Sequence, residues 1–77
     1  MDTNVNLNPI RLIIGQNIHH WRLARRLPEE ALARHLSITL KRLQKYESGG
    51  DSPTCDELIA MAKLLRCSVD DLCLGEP

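Results

Sequence analysis

Helix-starting signals recur along this chain at short intervals and leave little room for anything but helices. Asn8 is a favourable N-cap, and Pro9 suits a first helical position, where its missing N–H costs nothing. Ile10, Ile14, Ile18 and Trp21 follow at spacings of four, four and three, which marks one face of a helix predicted to end near Arg26. Pro28-Glu29-Glu30 opens a second helix, with acidic residues at the positive end of its dipole. Leu32, Ala33 and Leu36 form its inner face, and it stops near Ser37. Thr39 caps a third helix, whose Leu43 and Tyr46 point inward while Leu40, Lys41, Gln44 and Lys45 do not. The turn-rich stretch Ser48-Gly49-Gly50-Asp51-Ser52-Pro53 breaks it. Thr54-Cys55-Asp56-Glu57 reads as a capping box ahead of a stripe of Leu58, Met61, Ala62 and Leu65. Ser68-Val69-Asp70-Asp71 caps a short fifth helix carrying Val69, Leu72 and Cys73. The expected fold class is all-α, a compact five-helix bundle with no sheet.

The chain has 77 residues, so it holds one domain, expected over residues 9–77 behind a flexible N-terminal segment at 1–8. A domain of this size buries only ~60% of the surface its unfolded chain exposes. With no Phe, one Trp and one Tyr, its core must be aliphatic. Ile18, Trp21, Leu32, Leu36, Leu43, Leu58, Met61 and Leu65 are the predicted core. Gly15 interrupts the first helix at a cost of ~1 kcal/mol relative to Ala, unless a neighbouring helix packs closely there.

Net charge is zero, yet it is unevenly spread. Residues 1–27 carry four arginines against Asp2, for +3; residues 28–53 balance; residues 54–77 carry Lys63 and Arg66 against five carboxylates, for −3. A basic front and an acidic back can orient a neutral domain on a polyanion. No apolar run approaches the ~20 residues needed to span a bilayer, and the N-terminus lacks the pattern of a secretory signal. Cys55, Cys67 and Cys73 are an odd set without a Cys-x-x-Cys pair, which argues against a disulfide framework and for a reducing cytoplasm. His19, His20 and His35 are too scattered to complete a zinc site with those thiols, so no metal or other cofactor is expected. The adjacent His19 and His20 have no nucleophile or carboxylate at a fixed partnering distance, and no phosphate-binding glycine loop follows a strand. An enzyme is not expected.

The second and third helices, joined by Ser37-Ile38-Thr39, satisfy the description of a helix-turn-helix. The residues around them carry a closer likeness. Ile14-Gly15-Gln16-Asn17-Ile18-His19-His20-Trp21-Arg22, Leu32-Ala33-Arg34-His35-Leu36-Ser37-Ile38-Thr39 and Leu43-Gln44-Lys45-Tyr46-Glu47-Ser48-Gly49 stand in order and without gaps. Ser52-Pro53-Thr54, Leu58-Ile59-Ala60-Met61-Ala62-Lys63 and Cys67-Ser68-Val69-Asp70-Asp71-Leu72 follow. Together, from Ile14 to Cys73, they resemble the lambda-repressor-like DNA-binding domain of the phage-repressor and Cro family, also called the Xre family.

The resemblance implies that the third helix enters the major groove of double-stranded DNA, with Leu40, Lys41 and Lys45 facing the bases. A lysine ammonium donates to guanine O6 or N7, whereas Leu40 can only meet a thymine methyl. It further implies that Arg42, Gln44, Ser48, Gly49 and Thr54 meet the DNA backbone. Arg22 and Glu47 stand where the family pairs Arg with Glu, tying the first helix to the end of the third. The chain departs from the family at Pro28 and Glu29, where Ser or Asn then Gln is common. It departs again at Arg26, Ser37 and Arg66, where glycine is common. If those three keep a positive φ, each carries strain of ~1 kcal/mol.

The function expected is that of a small cytoplasmic transcriptional regulator, a repressor or controller. It would bind a palindromic operator as a homodimer, because one module reads too few base pairs. Leu72 and Leu74, with Leu12 and Ile13, are the apolar residues least easily placed inside and are expected at the dimer interface. Two alternatives stay open: an antitoxin, or a protein-interaction module of the same fold with weak or no DNA binding. Zero net charge, Glu29 and Leu40 favour the latter; Lys41, Arg42 and Lys45 oppose it.

Overall fold

The computed structural model describes residues 9–75. Five helices succeed one another there: α1 (Pro9–Ala24), α2 (Glu29–Leu36), α3 (Leu40–Ser48), α4 (Cys55–Leu65) and α5 (Val69–Cys73), with no strand among the described residues. The expected cap at Asn8 and the segment 1–8 lie outside them.

Three helices start on side-chain caps. The Arg42 N–H donates to Thr39 Oγ1 at 3.0 Å, and Thr54 with Glu57 and Ser68 with Asp71 form complete capping boxes. Pro28 behaves differently from the expectation. It is the extended residue before α2, and its carbonyl accepts from the N–H groups of Ala31 and Leu32. The first helix also stops at Ala24, short of Arg26, because Arg26 turns left-handed at φ 55° and the Leu27 N–H closes back on the Arg22 carbonyl. Ser37 and Arg66 do the same after α2 and α4, both at φ 57°. These are the three positions where glycine is common in the resembled family, and each keeps the left-handed backbone without it. Arg25 supports the third: its Nε donates to the Leu65 carbonyl at 2.7 Å and its Nη2 to the Arg66 carbonyl at 3.2 Å.

The helices close on one aliphatic core of Ile14, Ile18, Leu32, Ala33, Leu43, Tyr46, Leu58, Met61, Ala62, Leu65 and Leu72. Trp21 and Leu36 lie at its margin, half-buried. Trp21 is covered by the Arg25 guanidinium, 5.1 Å from the ring centre. Ile10 continues the predicted stripe by spacing, yet it is 61% exposed.

Gly15 is where α1 and α3 meet. A Cβ there would collide with the backbone carbonyls of Tyr46 and Glu47, so the glycine permits the close approach that offsets its helix cost. Asn17, one turn before Trp21, is fully buried and donates from Nδ2 to the carbonyls of Leu72 (2.9 Å) and Gly75 (2.8 Å). A buried amide with two acceptors ties α1 to the end of α5. Leu72, expected on the outside, has no exposed surface at all. It faces the core on the inner side of the short α5, so it is unavailable to a dimer contact. Leu74 alone of that pair is exposed, at 76%.

Candidate nucleic-acid interface

The α2–turn–α3 unit presents α3 with one face sunk and one face free. Leu43 and Tyr46 anchor it in the core, while Leu40, Lys41, Arg42, Gln44 and Lys45 are exposed. Lys41 and Lys45, one turn apart, join Thr39, Arg42 and Asp51 around a shallow open cleft. Neither lysine ammonium has a partner among the described residues, so both are free to donate. Leu40 stands at the first helical position, its apolar side chain partly exposed beside them.

The pose of α3 is fixed from behind. Arg22 Nε donates to Glu47 Oε2 at 2.7 Å and Nη2 to Oε1 at 3.2 Å, with side chains only 9% and 8% exposed. A third Arg22 bond, from Nη1 to the Leu27 carbonyl at 3.1 Å, holds the turn before α2. His19 Nδ1 lies 3.0 Å from Glu47 Oε1 and 3.1 Å from Arg22 Nη2, closing the group on its open side. The expectation that His19 has no carboxylate at a fixed partnering distance is thereby overturned, because Glu47 lies 28 positions away and no local spacing announces it.

Glu29 stands where a phosphate-binding Gln is common in the resembled family, and its carboxylate is turned toward the protein. Gln44 Nε2 donates to its Oε1 at 3.4 Å, and Arg22 Nη2 stands 4.0 Å from its Oε2. Gln44 is thus exposed but engaged.

The groups expected along the DNA backbone are mostly spoken for within the chain. The Ser48 hydroxyl donates to the Lys45 carbonyl at 3.1 Å. The Gly49 N–H closes α3 on the Tyr46 carbonyl, with Gly49 left-handed at φ 82°. The Thr54 N–H donates to Glu57 Oε1 at 2.9 Å, and its hydroxyl accepts from the Glu57 N–H at 3.1 Å. Arg42 donates from Nε to the Tyr46 hydroxyl and lies over the Tyr46 ring. Tyr46 in turn donates to Glu57 Oε1 at 2.7 Å. Burial pushes the Glu57 carboxyl up, but the Thr54 N–H, the Tyr46 hydroxyl and Arg42 outweigh it and hold the group below its ordinary value. Burial also raises the Tyr46 phenol, which keeps its proton for that bond.

Away from this face, no group of three or more His, Cys, Asp or Glu could hold a metal ion among the described residues. No described helix is long and apolar enough to cross a membrane.

Comparison with known proteins places this geometry. A family model described as helix-turn-helix matches residues 18–72. The chain is 34% identical over 68 residues to an uncharacterized transcriptional regulator in the ATPase CF(0) region of Rhodospirillum rubrum, covering 83% of this chain and 63% of that protein. It is 33% identical over 60 residues to RstR, the cryptic phage CTXphi transcriptional repressor of Vibrio cholerae, covering 78% of this chain and 54% of that one. It therefore spans between about half and two-thirds of the length of these relatives. Among solved structures, the P22 c2 repressor in complex with a synthetic operator superposes with a TM-score of 0.76 at 25% identity, over 83% of this chain and 97% of that one. With most of its length matched by the family model and its five helices in the repressor arrangement, the chain belongs to the helix-turn-helix family of the phage-repressor, Xre-like kind.

Proposed function

We propose that this protein is a sequence-specific DNA-binding transcriptional regulator, a small repressor or controller working in the cytoplasm and not an enzyme. The observation that carries the reading is the pair Lys41 and Lys45, unpartnered on the exposed face of a helix that Arg22 and Glu47 brace from behind. In this reading α3 lies in the major groove. Lys41, near the helix start, donates to a guanine edge, Lys45 reads one turn further on, and Leu40 meets a thymine methyl. Ser48, Gly49 and Thr54 approach phosphate only as their internal hydrogen bonds are shared or exchanged, so backbone anchoring falls chiefly to Arg42. Gln44 supports from Glu29.

The operator is palindromic and the protein a two-fold dimer, with recognition helices ~34 Å apart. Leu74 is the proposed contact, since it is exposed and its segment is held by the Asn17 bonds to Leu72 and Gly75. Ile13 and Leu12 are the apolar α1 residues that would accompany it. Sedimentation showing only monomer at micromolar concentration, free and with DNA, overturns the dimer.

A binding selection on random duplex DNA, followed by titrations of Lys41→Ala and Lys45→Ala, tests the main reading. A lost base contact costs ~1–3 kcal/mol and relaxes preference at one base pair. A lost phosphate contact weakens all sequences alike. Lys41→Ala is expected to behave in the first way. If the double variant binds as tightly and as selectively as the parent, α3 does not read DNA. The protein-interaction reading, which draws on the internally satisfied donors of Ser48, Gly49 and Thr54, then takes its place.

A further inference from the structure

Arg42 is the one cation of the α3 face whose side chain is tied down. Its Nε donates to the Tyr46 hydroxyl, one helical turn on, and its guanidinium carbon lies 5.6 Å from the centre of the Tyr46 ring. Its two Nη groups have no partner among the described residues. Arg42 lines the same cleft as Lys41 and Lys45, with Thr39 and Asp51. The Tyr46 oxygen can accept from Arg42 because its own proton is committed to Glu57 Oε1 at 2.7 Å. Glu57 is itself immobilised by the capping box, through the Thr54 N–H at 2.9 Å. An unbroken chain of hydrogen bonds thus runs from the start of α4, through a buried tyrosine, to a guanidinium on the exposed face of α3.

An unrestrained surface arginine samples many rotamers and must give up that freedom on binding. Holding it beforehand removes most of that cost. The tied edge is Nε; the free edge is the pair of Nη groups, and a fork of N–H donors on a fixed plane matches the oxygens of a phosphate. A lysine at position 42 would keep the charge but lose both the fork and the Nε–H that Tyr46 accepts.

We propose that Tyr46 is a positioning residue for DNA phosphate: its hydroxyl, oriented by Glu57, holds Arg42 with its Nη edge presented to the DNA backbone beside the reading face. The proposal rests on the reading of α3 as the groove helix. Tyr46 touches no DNA in it and acts only through Arg42.

The test compares the parent with Arg42→Ala, Tyr46→Phe, the double variant and Arg42→Lys. Each is titrated at several salt concentrations against a duplex recovered by selection and a duplex of scrambled sequence. Tyr46→Phe keeps the buried ring, and its helix content by circular dichroism is expected to match the parent. Its binding to both duplexes is expected to fall alike, by roughly tenfold, with the salt slope reduced by about one unit per subunit. In the Arg42→Ala background the tyrosine change is expected to add nothing, whereas a merely structural role would add its full loss there. Additive losses, unchanged binding by Tyr46→Phe, or a loss confined to the selected duplex overturn the proposal. If Tyr46→Phe loses helix content, Arg42→Lys decides: binding like Arg42→Ala supports the proposal, and binding like the parent overturns it. A parent that binds neither duplex removes the DNA reading itself and this proposal with it. A parent that binds while Tyr46→Phe binds equally well removes only the proposal.

Discussion

Arg22 and Glu47 stand 25 positions apart in sequence, and their side chains meet through two hydrogen bonds, the shorter 2.7 Å from Nε to Oε2. Both are nearly out of water, and the pair fastens α1 to the last turn of α3. Arg22→Ala leaves the Glu47 carboxylate with only His19 beside it among the described residues. The expected loss is ~3–5 kcal/mol, against a total of ~5–15 kcal/mol for a typical domain. Urea unfolding of the variant measures it, and a midpoint equal to the parent's contradicts the role assigned to the pair.

Gly15→Ala puts a methyl group against the Tyr46 and Glu47 carbonyls. Ordinarily this substitution in a helix stabilises by ~1 kcal/mol. Here the backbone of α3 must shift, and overpacking of this kind costs about 1–3 kcal/mol. Thermal unfolding is expected to move down. A rise would mean that the two helices do not approach as closely as described.

Ser37→Gly acts in the opposite direction. Ser37 holds φ 57° at the end of α2, a conformation that costs an L-residue ~1–2 kcal/mol and glycine almost nothing. Part of the gain is lost to the greater freedom of glycine in the unfolded chain. A net stabilisation of about 0.5–1 kcal/mol is expected, visible as a melting temperature a few degrees higher.

Glu57 supplies an acid limb to stability. Its carboxyl is held below its ordinary value in the folded state, so its contribution is complete above the unfolded value of ~4.3 and is lost as pH falls through the folded one. The urea midpoint of the parent is expected to fall in that window. Glu57→Gln, less stable at neutral pH, is expected to converge on the parent as the solution is acidified. Parallel curves across the whole range would contradict the assignment.

What the sequence disclosed depended on how far apart the interacting residues lie. The caps at Thr39, Thr54 and Ser68 were legible because each motif carries its partner within three residues. The core stripes of α2 and α4 were legible because periodicity over eight or eleven residues fixes which face turns inward. Helix α5 has five residues, too few to set a phase, and Leu72 was placed on the wrong side. Asn17 was missed altogether. A polar residue inside an amphipathic helix reads as a solvated one, and its acceptors are distant backbone carbonyls that no motif announces. The α3 face was outlined correctly as exposed, but which of its groups are already hydrogen-bonded depends on rotamers. Glu29 facing Arg22, and Arg42 held by Tyr46, are of that kind.

The amide of Asn17 also sets the order in which the domain can be completed. Its two acceptors lie 55 and 58 positions later in the chain, so during synthesis the donor is made early and both carbonyls come among the last residues described. A buried amide without partners disfavours docking of the helix that carries it. The first helix therefore has no finished site until Gly75 has been added. Closure of that long loop is a non-local contact, of the kind that slows folding relative to a bundle whose helices satisfy one another in sequence.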